Sequence, residues 1–263
     1  MKTASIASGS KGNCVYIESK LARILIDCGL SLTNTEKRLS SIDVSPDSID
    51  AIFLTHEHVD HLGGVKYFLK KHRNTKIFIP SFVKNYAIKG IMDLPEGQIV
   101  WYSSSEFFFK DITVSSFILP HDSKFCVGYT LSFSGKKISY ATDLGFVSQD
   151  TLDALSKSDI LYLESNHDEN MLKQNPRYPI ATKKRILGPN GHISNLSCAV
   201  ALVSLVPTGV KQVILCHLSE ENNSPEMAYK TVKLFLAQHG IEEGKNVCVD
   251  VAFQHKVGTV FEW

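Results

Sequence analysis

The sequence predicts an α/β fold, and three observations carry the prediction. Short apolar runs of strand length recur at residues 23–27, 51–55, 76–80, 112–119, 160–164 and 213–217. Stretches with helix signals separate them at 33–40, 81–89 and 199–206, and another follows the last at 225–239. Polar or ionisable residues stand at the ends of four of these runs and of a further one at 137–141: Asp27, His56 to His61, His121, His217 and, after 137–141, Asp143. Periodicity alone takes the architecture no further than α/β.

Residues 8–13, Ser-Gly-Ser-Lys-Gly-Asn, form a small-residue loop between two short strands. Its glycines and amides could approach a phosphate, which makes Ser10, Lys11 and Asn13 candidate substrate contacts; a plain β-turn has the same composition. Thr33-x-x-Glu36 reads as a capping box opening a helix to about Ser40. Residues 129–133 and 137–141 flank Ser134-Gly135 as a hairpin. Pro225 opens a surface helix running to His239, and His72 and His239 read as surface residues near helix ends.

The chain is organised around Thr55-His56-Glu57-His58-Val59-Asp60-His61. These polar residues cannot continue the preceding strand into a core, because unpaired buried charge is too costly. Three imidazoles and a carboxylate within six residues concentrate the donors that divalent metals take. His56 and His58, two apart, point to one side of an extended turn. Asp60 and His61 fall on its far side, where a second ion could sit. Gly63-Gly64 and the apolar residues 65–69 suggest a helix starting near His61. The plain alternative is a solvated histidine-rich loop. Taken alone, His121 also fits a surface turn, Asp143 and Asp27 fit turns, and His192 fits the start of the helix that follows Gly191-His192-Ile193-Ser194-Asn195.

The T-H-x-H-x-D-H segment after an apolar strand resembles the signature of the metallo-β-lactamase fold superfamily. The small-residue loop near the start, Leu163-Glu164-Ser165-Asn166-His167-Asp168 and His217-Leu218-Ser219-Glu220-Glu221-Asn222-Asn223 are similar to segments of its YycJ/WalJ-type exonucleases. The resemblance implies an αββα sandwich. It implies one ion held by His56, His58, His121 and Asp143, and a second held by Asp60, His61, Asp143 and His217, with Asp27 bracing the histidine loop from behind. It gives His192 a contact with the scissile phosphate rather than a metal, with Ser194 and Asn195 beside it. Only 27 residues lie between Glu164 and His192, too few for the β-CASP cap of related RNA-processing nucleases, so the cleft would be more open.

The donor set suits zinc, manganese or iron, with manganese or zinc favoured. Two ions about 3.5–4 Å apart would generate a bridging hydroxide and neutralise charge on a phosphate. The resemblance therefore implies a metal-dependent phosphodiesterase acting on nucleic acid, DNA ahead of RNA, from a 5′ end. An RNA-processing or small-molecule phosphodiesterase, a thioester or lactam hydrolase, and a non-catalytic nucleic-acid-binding module are the competing classes. A net charge of +1 on 263 residues neither demands nor excludes nucleic acid. The length suits one domain, the 43% hydrophobic content an ordinary globular protein. Six cysteines without a C-x-x-C pair suggest buried thiols in a reducing cytoplasm. No run reaches membrane-spanning length, and the leader expected of an exported antibiotic hydrolase is missing. The sequence carries no signal for oligomeric state, nor for a role of His255.

Overall fold

A computed structural model describes residues 2–263. The contacts cluster into two compact units. One comprises the residues up to Val114 with Ser123–Phe125 and Phe253–Trp263; the other comprises Ser115–Asp122 and Cys126–Ala252.

The first unit is built on a mixed sheet. In chain order its strands are β1 (Lys2–Ala7), β2 (Cys14–Glu18), β3 (Arg23–Ile26), β4 (Ala51–Phe53), β5 (Lys76–Pro80) and β6 (Ile99–Tyr102), and the C-terminal strand Val260–Glu262 adds to the free edge of β1. The strands β1, β2 and β3 pair antiparallel, while β3 to β6 pair parallel. Helices α1 (Leu32–Ser40), α2 (Val59–Leu62), α3 (Val65–Lys71) and α4 (Lys89–Met92) interrupt them. Alternation along the strands sends Leu25, Ile52, Ile77 and Ile79 to one face, where they pack with Leu39 of α1 and Val65, Phe68 and Leu69 of α3.

The second sheet has seven strands, which lie side by side in the reverse of their chain order. Its members are β7 (Glu106–Phe109), β8 (Ile112–Ile118), β9 (Val127–Phe133), β10 (Lys136–Ala141), β11 (Ile160–Glu164), β12 (Gln212–Cys216) and β13 (Cys248–Val251). The hairpin of β9 and β10 is tied by Ser134 and Gly135, at φ 50° and 72°. Two successive positive φ angles are what a two-residue hairpin loop needs to match the twist of its strands. Strands β10 to β13 run parallel. Helices α5 (Gln149–Leu155), α6 (Glu169–Gln174), α7 (Ile180–Ile186), α8 (Asn195–Leu205) and α9 (Pro225–Gln238) belong to the second unit. Leu202 and Leu205 of α8 and Val232 and Leu236 of α9 join Leu161, Leu163, Val213 and Leu215 in one core. Each such buried aliphatic side chain is worth roughly 1.5–3 kcal/mol.

Three local expectations are corrected. Residues 81–89 do not form a helix; a 3₁₀ turn at Ser81–Val83 and the short α4 stand there instead. Between 81 and 89 only Val83 is buried, so a helix would have had no apolar stripe to bury, and short helices without one are marginal. The cap of α1 is Ser31, whose hydroxyl accepts from Asn34 N, and Thr33 lies inside the helix. His72 is not a surface residue: it is buried between Glu36 and Asp47, with ring nitrogens 2.8 and 2.7 Å from their carboxylates. His239 is exposed at the end of α9, its Nδ1 on the Phe235 carbonyl.

Every residue singled out at a strand end follows a strand of these sheets. In open α/β sheets this carboxyl edge is where ligands bind. Among the described residues no helix is long and apolar enough to cross a membrane.

Candidate metal centre

In the first unit, Asp27 organises the histidine loop. It is fully buried, and Thr55 N and Thr55 Oγ1 each donate to it at 2.8 Å. His61 Nδ1 lies 2.7 Å from its Oδ2. Burial pushes the Asp27 carboxyl above its ordinary value, and the His61 and Thr55 donors pull it back. Because the Thr55 hydroxyl hydrogen goes to Asp27, its lone pairs face His56 Nδ1 at 3.0 Å and His61 Nδ1 at 3.2 Å. The rings of His56 and His58 are 4.6 Å apart, and those of His56 and His61 4.1 Å. Asp60 turns one carboxylate oxygen to within 3.6 Å of His61 Nε2.

In the second unit the corresponding organiser is Glu164, the last residue of β11. Its Oε1 meets His192 Nδ1 at 2.9 Å, His217 Nδ1 at 2.8 Å and Asp143 N at 3.2 Å. Its Oε2 accepts from Leu144 N at 3.3 Å and Ile193 N at 3.1 Å. Burial opposes the charge, but His192 and His217 hold the carboxyl down at about 2. Asp143 lies at the centre of the cluster, with Oδ1 3.7 Å from His121 Nε2 and 3.4 Å from His217 Nδ1. Burial lowers the His121 pKa against the pull of Asp143, favouring the neutral imidazole that metals take.

Two features suit these residues to a divalent ion. First, Nδ1 is anchored on an oxygen in His56, His61, His121, His192 and His217, the acceptors being Thr55, Asp27, the Gly191 carbonyl and Glu164. An anchored Nδ1–H fixes the tautomer and presents the Nε2 lone pair, the usual arrangement behind metal-binding histidines. Second, donor atoms of Asp143, Glu164, His192 and His217 lie within 4.8 Å of one another. Asp27, Asp143 and His217 also share a backbone feature, φ of 60°, 62° and 56°. Left-handed backbone is uncommon outside glycine and persists where surrounding structure enforces it. Here it turns the chain sharply out of β3, β10 and β12, so that these side chains stand at the sheet edge.

The remaining candidates are placed as follows. Ser10 and Lys11 are exposed on the loop after β1, with Lys11 N donating to Gln254 Oε1 at 2.9 Å. Asn13 is buried; its amide reaches His61 Nε2 at 2.9 Å and Asp60 Oδ2 at 3.3 Å, and its Oδ1 accepts from Gly9 N. It therefore contacts two expected ligands from within the loop. Ser194 caps α8 and reaches Glu169 Oε1 at 3.3 Å. Asn195 is buried and bonded to Ser165 and Asn223 at 2.6 and 2.9 Å. The hydrogen-bonding groups of both are engaged by protein. His167 is buried, and burial lowers its pKa to about 4, while His255 is exposed. Of the six cysteines, all but Cys248 are buried thiols. Glu164 is the residue sequence reasoning passed over. Its signal was a carboxylate closing an otherwise apolar strand, Ile-Leu-Tyr-Leu-Glu, the pattern already weighed at Asp27.

The family model for the beta-lactamase superfamily domain matches residues 22–218. Exodeoxyribonuclease YycJ of Bacillus anthracis is 31% identical over 241 residues, 91% of this chain and 90% of that protein. Exodeoxyribonuclease WalJ of Streptococcus pneumoniae is 33% identical over 248 residues, 92% and 91% of the two chains. Among solved structures, the metallo-β-lactamase fold protein YhfI of Bacillus subtilis superposes with a TM-score of 0.71 at 17% identity, covering 100% of this chain and 98% of that one. Zinc-bound PqqB of Methylobacterium extorquens gives 0.72 at 13% identity, covering 100% of both. The αββα class expected from the histidine loop is the class these neighbours share, and the chain belongs to the β-lactamase superfamily, with the metallo-β-lactamase fold.

Proposed function

We propose that this metal-dependent hydrolase is a phosphodiesterase that degrades DNA from a 5′ end. The observation that supports it most is the state of His192: Glu164 holds its Nδ1 at 2.9 Å, beside Asp143 and His217, and leaves Nε2 on the opposite side of a partly exposed ring. Support also comes from the two exodeoxyribonucleases similar over nine-tenths of the chain. His56, His58, Asp60, His61, His121, Asp143 and His217 are the proposed ligands of two divalent ions, manganese or zinc, with iron also suited. Such ions, when bound, activate water and neutralise charge on the phosphate.

The chain's own groups do the rest. Asp60, whose carboxylate is partly open to solvent, accepts the proton of the attacking water. Glu164, ionised and buried, stabilises the imidazolium of His192, so that Nε2–H donates to the phosphate as charge builds on it, or to the leaving oxygen. Asp27 and Thr55 keep the histidine loop from swinging, which preserves the alignment that in-line attack needs. A partly exposed His192, with no capping domain between Glu164 and His192, suits a polymer end better than a small enclosed substrate.

The test is a panel with holoenzyme: 5′- and 3′-labelled single-stranded and duplex DNA, the matching RNAs, bis-p-nitrophenyl phosphate, a thioester and a lactam. Mononucleotide release from the 5′-labelled DNA, faster than from RNA, is the expected result. First release from the 3′ label contradicts the polarity. Thioester or lactam turnover above that of every phosphodiester contradicts the reaction class.

A further inference from the structure

The 22 residues between Glu169 and His192 carry five cations, Lys173, Arg177, Lys183, Lys184 and Arg185, and no carboxylate. The whole chain has a net charge of only +1, so the rest of it is net negative and this segment is a local exception. We infer that α7 and its flanks form a docking track for the phosphate backbone of a nucleic-acid strand, delivering it to His192. The inference rests on the nuclease reading above and extends it to a named surface.

Three observations converge on the track. Its cations are incompletely neutralised: Lys173 pairs with Glu169 at 2.8 Å, Arg177 with Glu221 at 2.8 Å and Arg185 with Asp122 at 2.6 Å. Exposed pairs of this kind are worth about 0–1 kcal/mol, so a phosphate can replace the carboxylate at little cost. Lys183 Nζ meets only the Lys173 carbonyl, at 2.7 Å, and Lys184 is exposed with no ion pair among the described residues.

The track is also fixed to the catalytic edge. His192 N donates to Ile186 O at 2.9 Å and Gly191 N to Gly188 O at 2.9 Å, so the exit of α7 is tied to the backbone of His192. A side chain at Gly191 would collide with the Arg185 and Ile186 carbonyls, and one at Gly145 with the Pro189 carbonyl. These two glycines let the exit of α7 lie against the loop that carries Asp143. Arg185 pairs with Asp122, the residue next to His121.

Finally, the surface is amphipathic in a way that suits a nucleotide. Ile180 and Leu187, seven residues apart and hence on one helical face, are 73% and 44% exposed beside the lysines. Apolar base faces and anionic phosphates can be met together there. Because the cations lie on a helix and its flanks, the contacts go to phosphate and carry no sequence readout.

The experiment measures the affinity of metal-loaded wild-type protein, Lys184→Gln and Lys183→Gln/Lys184→Gln for a single-stranded phosphorothioate oligonucleotide across a salt series. Losing two phosphate contacts should flatten the slope of log K against log salt by about 1.4, and losing one by about 0.7. Between 50 and 200 mM salt the wild type should then lose about sevenfold more affinity than the double variant. The loss should be alike for unrelated sequences, with the melting temperature and metal content of each variant kept. A double variant with the wild-type slope overturns the track even if the wild type binds and cleaves DNA. A wild type that neither binds nor cleaves any oligonucleotide removes the nuclease reading itself. Polyglutamate competing as well per charge as the oligonucleotide marks an acidic protein as the partner and overturns the assignment.

Discussion

Replacing Glu164 with glutamine probes the second unit at its most connected point. The amide keeps the size of the carboxylate but turns one acceptor into a donor. If the amide nitrogen takes the Oε2 position, it faces Leu144 N and Ile193 N; in the Oε1 position it faces Asp143 N and the ring nitrogens of His192 and His217. Either way at least two buried donors lose their acceptor. Each such loss costs roughly 1–3 kcal/mol, or about 2–6 kcal/mol together. That is a large share of a typical domain's 5–15 kcal/mol. The His217 imidazole, released from Glu164, should also bind metal about 10–100-fold more weakly. Urea denaturation of metal-free protein reads the first effect, and a metal titration reads the second. A Glu164→Gln protein with wild-type midpoint and wild-type metal affinity would refute the organising role given to this carboxylate.

The remaining predictions concern single interactions. Asp27→Asn, which tolerates the left-handed backbone at φ 60°, should keep the fold and lower metal affinity or activity about 10–100-fold; wild-type values in both would remove the bracing role. Asp143→Asn should lower the occupancy of both ions measured by elemental analysis, since the carboxylate is proposed to be shared; loss of one ion with the other intact would contradict the sharing. The Glu36 carboxyl is held below its ordinary value by its Lys71 hydrogen bond, against burial and with help from His72. Its contribution to stability is therefore full above the unfolded pKa of about 4.3 and fades as pH falls through the lower folded value. The stability difference between wild type and Glu36→Gln should shrink on acidification below about pH 4; a difference independent of pH would contradict the linkage.

The sequence made the candidate histidine loop legible because its potential donors crowd into six residues that follow directly on an apolar strand. Asp27, His121, Asp143 and His217 were legible for the same reason, each closing or following a hydrophobic run. What escaped depends on contacts between residues far apart in the chain. Glu164 reaches His192 and His217, 28 and 53 residues away, and neither spacing leaves a local pattern. His72 looked like a helix-end surface residue, yet Glu36, 36 residues before it, and Asp47 enclose it. The helix expected at 81–89 rested on composition, and composition could not reveal that only Val83 among those residues would find a core to enter. The left-handed turns at Asp27, Asp143 and His217 were equally hidden, because neither Asp nor His signals that conformation as glycine does.

The measurement that tests the account most directly is the metal content and DNA turnover of His192→Ala, made on the same preparation. His192 is close enough to Asp143, Glu164 and His217 to be a ligand itself, so the experiment decides between two roles for one imidazole. A residue that acts on substrate should leave the two proposed ions in place and lower turnover about 10²–10⁴-fold, with substrate affinity little changed. A His192→Ala protein that loses an ion, or one that retains both and cleaves DNA at the wild-type rate, contradicts the assignment of this histidine to the phosphate.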